Sequence, residues 1–193
     1  MIMIIGANGS MGRRYQSILN YLGKTHYDVD IENENTIEEI GKKCSGFIIA
    51  TPTNTHFTFL QRISFFMKPI LCEKPLSKDS YEFNEMLKTP LRMMMQYFVI
   101  NPVPGVMEGL TAYDYYNSGK DGLVWDCCQI IGLSRGNCTI SNKSPIWQCR
   151  LNGKELDFNW MDRAYIKYME LWFKEPYQNP GFLLDFHNKV AEF

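Results

Sequence analysis

Near the amino end the chain reads Gly6-Ala7-Asn8-Gly9-Ser10-Met11-Gly12, three glycines at intervals of three directly after an apolar run, Ile2 to Ile5. Between a strand and a helix, such a turn lets backbone amides and the helix N-terminus hold a diphosphate, because glycine permits the close approach. The alternative is a tight strand-to-helix turn that holds nothing. A dinucleotide site also needs an acid about 20 residues further on, at the end of the next strand, to take the adenosine ribose hydroxyls. Asp30 fits that position, with Asp28 and Glu32 as alternatives in register. A carboxylate there repels the extra phosphate of NADP and so favours NAD. Arg13 and Arg14, directly after the third glycine, argue the other way, since a guanidinium pairs well with a phosphate.

The elements that must position these residues follow from periodicity. After the Ile2 to Ile5 strand, Met11, Tyr15, Ile18, Leu19 and Leu22 recur at helical spacing. A strand is expected over Tyr27 to Ile31 and a short helix over Thr36 to Lys43, where Thr36 and Glu39 fit a capping box. Phe47 to Ala50 reads as a strand covered on both faces, followed by a helix from Phe57 to Met67 with Phe57, Leu60, Ile63 and Met67 on one stripe. Ile70 to Cys72 is a further strand, a helix opens at Ser77 or Lys78 and runs to Leu87, and Leu91 to Ile100 is a last strand. Strands alternating with helices of about ten residues signal parallel strands joined by right-handed crossovers.

The pattern changes after Asn101-Pro102, so a first domain is expected over residues 1–100 and a second over 101–193. In the second, Gly122 to Leu133 reads as a helix. Asn152-Gly153, the preferred type I′ dipeptide, predicts a hairpin between Trp147 to Leu151 and Glu155 to Phe158. Trp160 to Lys174 is amphipathic, with Tyr165, Tyr168, Met169 and Trp172 on the apolar side, and a last helix is expected from Pro180 to Phe193.

Composition narrows the partners. Twenty Lys and Arg against 21 Asp and Glu give a net charge of −1, without the basic excess that nucleic-acid phosphates demand. No apolar run approaches the roughly 20 residues of a membrane-spanning helix, and Met1 to Ile5 is too short and uncharged for a signal peptide. The chain therefore reads as cytoplasmic, binding neither nucleic acid nor membrane. Six cysteines with no C-x-x-C pair and three histidines give no zinc pattern, so no metal is expected.

Two more segments combine with the glycines, each at a strand's carboxyl end: Ala50-Thr51-Pro52-Thr53-Asn54-Thr55-His56 and Glu73-Lys74-Pro75. Together they resemble the glucose-fructose oxidoreductase, inositol dehydrogenase and rhizopine catabolism family of NAD(P)-dependent oxidoreductases, over roughly residues 2–100. The resemblance implies an α/β fold, a Rossmann-like doubly wound parallel sheet, here with a small α+β C-terminal domain. It implies that Gly6, Asn8, Gly9, Ser10, Met11, Gly12 and Asp30 bind the cofactor, and that Thr51, Pro52, Thr53, Asn54 and His56 line its ribose and diphosphate. Glu73 would touch the nicotinamide ribose. Lys74 would stand near the nicotinamide and the reacting hydroxyl, aimed by a cis peptide before Pro75. A partly desolvated ammonium can hydrogen-bond the substrate oxygen and stabilise charge as hydride leaves carbon. For His56, in the first turn of a helix, a local structural contact is the stronger reading.

Family members carry an Asp-x-Gly-x-His helix in the second domain. Here Asp126 matches the acid, but Cys128 holds the glycine position and Ile130 the histidine position. Isoleucine cannot exchange a proton, so Lys74 and Asp126 are the leading catalytic candidates, with Tyr97, Tyr113 and His187 as alternatives. His187 reads more readily as structural. The family's second-domain sheet, which also builds dimers, is reduced here, and a homodimer through it is one expected assembly.

The leading expectation is hydride transfer between nicotinamide and a hydroxyl or carbonyl carbon of a small, sugar-like substrate, with NAD or NADP and NAD favoured by Asp30. One alternative is a catalytically impaired NAD(P)-binding protein acting as sensor, scaffold or cofactor sequesterer. Another, suggested by Gly6-Ala7-Asn8-Gly9-Ser10-Met11-Gly12-Arg13, is an enzyme resembling dihydrodipicolinate reductase; that family lacks Glu-Lys-Pro at this place.

Overall fold

The computed structural model describes residues 1–94, 109–111, 137–141, 148–151, 154–155 and 161–191, with side chains at 1–94 and 165–185. The chain divides into two compact units, Met1–Met94 with Met169–Pro180, and Met95–Tyr168 with Gly181–Phe193.

The first unit is built on five parallel strands: β1 (Ile2–Ile5), β2 (His26–Val29), β3 (Gly46–Ile49), β4 (Ile70–Cys72) and β5 (Arg92–Met93), in the order β2-β1-β3-β4-β5. β1 lies in the middle of the first three, with Ile5 opposite Val29 on one side and Ile49 on the other. All residues of β1 and β3 are buried, as near-continuous Ile and Phe runs require when helices cover both faces of a parallel sheet. The direction of winding reverses at β1. In open α/β sheets that reversal leaves a crevice beyond the strands' carboxyl ends, where ligands bind.

Between the strands run α1 (Ser10–Tyr21), α2 (Ile37–Ile40), α3 (His56–Ser64) and α4 (Ser80–Met86). α1 buries Tyr15, Ile18 and Leu19 of the expected stripe together with Gly12, while Met11 and Leu22 are half-buried. Two caps differ from expectation. The Thr36 to Lys43 helix is the single turn of α2 continued by a 3₁₀ turn over Gly41–Lys43, and it is not Thr36 but Asp30, with Asn33, that forms a capping box, winding Ile31–Thr36 into 3₁₀ turns. Thr36 spends its hydroxyl on Asn33 O at 2.8 Å. Likewise α4 opens at Ser80, because Asp79 accepts the Glu82 N–H at 2.9 Å, while Ser77 is buried in the preceding turn with its hydroxyl donated to Glu82.

Met169–Pro180 returns to this unit. Trp172, 1% exposed, closes over Gly46 at the start of β3, where an added Cβ would stand 3.2 Å from the indole and 3.1 Å from Pro69 O. Buried Arg92 donates to Glu175 O at 2.7 Å and Tyr177 O at 3.2 Å, and Gln178 N–H bonds Leu91 O at 3.0 Å. The stretch after the helix thus lies along β5.

The second unit contains a four-stranded sheet in which β6 (Gly109–Thr111) runs parallel to β7 (Asn137–Ser141), followed antiparallel by β8 (Gln148–Leu151) and β9 (Lys154–Glu155). Leu151 pairs with Lys154, the register of the expected hairpin. α5 (Met161–Lys174) and α6 (Pro180–Ala191) follow. The expected Gly122 to Leu133 helix, with Asp126 and Ile130, the Asn152-Gly153 turn, Tyr97 and Tyr113 lie outside the described residues.

Candidate functional site

The glycine turn joins β1 to α1 through contacts no side chain would allow. Gly6 has φ 87°, and a Cβ there would stand 2.8 Å from Ala50 O, so the turn presses against the end of β3. A Cβ on Gly12 would lie 2.2 Å from Gly6 O. Gly9 is the N-cap and contributes no side-chain cap, and the first turn holds no acid. The helix's first internal bond is Arg13 N–H to Gly9 O, 3.0 Å. The amides of Ser10, Met11 and Gly12 precede it, at the positive end of a twelve-residue helix, an arrangement suited to a diphosphate.

Asp30 follows β2 directly. Its Oδ2 accepts the Asn8 N–H at 2.8 Å and its Oδ1 the Ile31 N–H at 2.9 Å, while its own N–H is held by Asn33 Oδ1 at 2.8 Å. The carboxylate is thereby fixed beside the glycine turn. The two alternatives stand elsewhere: Asp28 faces His26 at 2.8 Å, and Glu32 is an exposed residue of the 3₁₀ segment. Asp30, Ile31 and Glu34 form one wall of a cleft of about 420 Å³, Thr51, Pro52, Thr55 and Phe59 the other, with Gly6 and Gly9 at its floor. Two of these groups are carboxylates, and none of the residues that line it is cationic. Arg62 is engaged by Glu38 at 2.9 Å and by Glu34 O at 3.0 Å, and the same bond holds the Glu38 carboxyl below its ordinary range. Arg13 is exposed on α1, and Arg14 lies 3.8 Å from Met11 Sδ.

The Thr51 loop forms the far wall. Thr55 N–H and hydroxyl both close on Pro52 O, at 2.9 and 2.7 Å, shaping the 3₁₀ turn Thr53–Thr55, with Asn54 exposed. The Thr51 hydroxyl is buried without a hydrogen-bond partner among the described residues. An orphaned hydroxyl on the cleft wall, an uncapped helix end and a fixed carboxylate are what a dinucleotide would complete, so the residues present fit such a group.

His56 does not present a donor to the cleft. It is 1% exposed, with Nδ1 2.9 Å from Pro75 O and 3.2 Å from Leu76 O, and Nε2 2.9 Å from Thr51 O. The ring ties the Thr51 loop to the turn after β4. Burial lowers its pKa, although the three carbonyls act in the opposite direction.

That turn carries Glu73-Lys74-Pro75, and the Lys74–Pro75 peptide is cis. Glu73 N–H continues the ladder to Ile49 O at 2.9 Å, which fixes where β4 ends. Glu73 is 5% exposed; its Oε1 accepts the Tyr15 hydroxyl at 2.5 Å and its Oε2 the Lys74 N–H at 3.1 Å. Lys74 is half-buried. Tyr15 is the residue whose part in the site the sequence hides, since by spacing it reads only as a member of the α1 apolar stripe. The one available signal is a hydroxyl on an otherwise apolar stripe, which needs a buried partner. Among the described residues no group of three His, Cys, Asp or Glu could hold a metal ion, and no helix is long and apolar enough to cross a membrane.

No family model matches the chain, and no curated protein matches it. Solved structures do. The WlbA (WbpB) dehydrogenase from Thermus thermophilus, in complex with NAD and UDP-GlcNAcA, aligns over 98% of this chain and 93% of its own, with TM-score 0.68 and 11% identity. The dehydrogenase MviM from Clostridium difficile aligns over 99% and 97%, with TM-score 0.62 and 9% identity. UDP-N-acetylglucosamine 3-dehydrogenase GnnA from Acidithiobacillus ferrooxidans aligns over 51% of this chain at 20% identity and TM-score 0.41, and the aligned part is 37% of the GnnA chain. At these identities the first two likenesses establish architecture: the chain has the α/β, Rossmann-like fold of those dehydrogenases.

Proposed function

We propose that this chain binds a nicotinamide dinucleotide across the carboxyl edge of its parallel sheet, NAD in preference to NADP, and works as an oxidoreductase on a small, sugar-like hydroxyl or carbonyl compound. The observation that carries the reading is the convergence, at the winding reversal beside β1, of an uncapped helix N-terminus, a fixed Asp30 and the Thr51 wall around one cleft. The dehydrogenase architecture of WlbA and MviM and the Ala-Thr-Pro and Glu-Lys-Pro segments support the same family assignment.

In this reading the amides of Ser10, Met11 and Gly12 bind the diphosphate, and Asp30 accepts the adenosine ribose hydroxyls. Asp30 repels a 2′-phosphate, while Glu34 shares its charge with the Arg62 guanidinium 3.6 Å away. When bound, the nicotinamide supplies the site from which hydride leaves or arrives. Lys74 hydrogen-bonds the substrate oxygen through its ammonium, stabilises the charge that develops there and passes a proton at that oxygen. Thr53, Asn54 and Pro52 close the loop side, and Asp126 is the second proton-handling group. Ile130 in place of the family's histidine favours a second reading, a dinucleotide-binding protein without turnover.

Titration of NADH and NADPH fluorescence tests the core of the proposal. NADH should bind with enhanced emission and NADPH more weakly; if neither binds, the reading fails. Turnover on a panel of polyols and sugar derivatives that disappears in Lys74→Ala, with NADH binding retained, supports the enzyme. A silent panel with tight NADH binding supports the second reading.

A further inference from the structure

The geometry points to Tyr15 as the positioning residue for the reaction end of the cofactor site. Its ring is 0% exposed on the inner face of α1, three residues beyond Gly12, and its hydroxyl donates to Glu73 Oε1 at 2.5 Å across 58 positions of sequence. The stripe it belongs to is otherwise served by apolar residues, Ile18 and Leu19. Packing alone asks only for a ring of that size. The hydroxyl becomes necessary because Glu73 is itself buried, and a buried carboxyl group costs free energy unless its oxygens are hydrogen-bonded.

With Oε1 held by Tyr15 and Oε2 by the Lys74 N–H, the Glu73 carboxylate is fixed at both oxygens, and the peptide carrying Lys74 is fixed with it. Tyr15 therefore makes α1 a rigid strut: its first turn faces the diphosphate, and its second turn sets the carboxylate that meets the nicotinamide ribose. This rests on the reading that the cleft takes a nicotinamide dinucleotide. It goes further in assigning the link between the two ends of the site to one phenol.

Tyr15→Phe keeps the ring and removes only the donor. NADH and ADP-ribose affinities are measured on wild type, Tyr15→Phe, Glu73→Gln and the double variant, with melting temperature as a check on folding. Tyr15→Phe should weaken NADH by fivefold or more and quench its bound-state emission, with ADP-ribose changed less than twofold. The double variant should lose little beyond Glu73→Gln, because both changes break one unit. Equal weakening of both ligands would make Tyr15 a structural residue and overturn the proposal, as would losses that multiply in the double variant. Glu73→Gln answers the same question if Tyr15→Phe does not fold. Failure of wild type to bind NADH is seen before any variant is made, and it removes the functional reading itself.

Discussion

The backbone N–H of Asn8 donates to Asp30 Oδ2 at 2.8 Å, so the end of β2 and the glycine turn after β1 are a single hydrogen-bonded unit. The carboxylate also takes the Ile31 N–H at 2.9 Å and starts the 3₁₀ turn. One side chain therefore shapes the cleft wall and supplies its charge.

Asp30→Ala separates these two contributions. Losing hydrogen bonds to a charged acceptor costs about 1.5–3 kcal/mol, so NADH should bind roughly 10- to 100-fold more weakly. NADPH, repelled by the same carboxylate, should lose less, and the ratio of the two constants should move toward one. Stability should fall by about 1 kcal/mol through the lost cap. Fluorescence titration and urea unfolding measure the two effects. A ratio unchanged by the substitution would remove Asp30 from cofactor selection.

Gly12→Ala tests the contact between helix and turn. A Cβ 2.2 Å from Gly6 O and 2.6 Å from the Ala7 backbone meets no flexible side-chain end, so α1 must shift away from β1. Overpacking of a rigid contact costs about 1–3 kcal/mol or more, and the Ser10, Met11 and Gly12 amides move with the helix. Both melting temperature and NADH binding should drop. Retained tight binding in a folded variant would show that the helix end is not the anion site.

His56 sets a pH dependence whose sign follows from burial. Its folded-state pKa lies below the ordinary value near 6.5, so above that value the ring is neutral in both states and its contribution to stability is complete. As pH falls, the unfolded chain takes the proton first, and this stability is lost until the folded pKa is passed. The difference in unfolding free energy between wild type and His56→Asn should therefore shrink from pH 7.5 to pH 5. A difference that grows on acidification would mean that the three carbonyl contacts outweigh burial and hold an imidazolium.

Met67 occupies a left-handed conformation, φ 53°, just beyond α3, and is 87% exposed. Its N–H bonds Ser64 O at 3.0 Å, closing the end of the helix. Nothing in its surroundings repays a side chain in that region. Met67→Gly should stabilise the protein by about 0.5–1 kcal/mol, read as a rise of roughly 2 °C in melting temperature.

Much of the first unit was legible because its elements are set by near-neighbour patterning. The apolar runs of β1, β3 and β4 and the stripe of α1 stand within about two residues of where spacing puts them; α3 ends at Ser64 instead of Met67, and Met67, expected on its stripe, is 87% exposed. Failures fell where a polar side chain chose between competing backbone partners. Thr36 and Ser77 both look like helix caps, yet Asp30 and Asp79 do the capping. His56 reads from the sequence as a local structural contact, but which loops it ties is not legible, because its partners are carbonyl oxygens that no sequence pattern marks. Tyr15 and Glu73 are 58 positions apart, and only the folded sheet brings them together. Trp172 is similar: the helix it lies on is amphipathic by spacing, but its burial against Gly46 belongs to tertiary structure.

Trp172 gives the last prediction. Its ring covers Gly46 and Pro69 at the amino ends of β3 and β4, opposite the cleft, and its indole N–H is buried without a partner among the described residues. Trp172→Ala should cost about 3–5 kcal/mol, the range for emptying a core position of a large ring. Trp172→Phe should cost less than half as much, because it keeps most of the contact with Gly46 and removes an unsatisfied donor whose burial costs about 1–3 kcal/mol. In both variants NADH affinity should stay within about twofold of wild type wherever the protein is folded, since 1.4 kcal/mol of coupling would be needed for a tenfold change. Urea unfolding and NADH titration together check this. A folded Trp172→Phe variant that loses NADH would show that the amino edge of the sheet is coupled to the cleft.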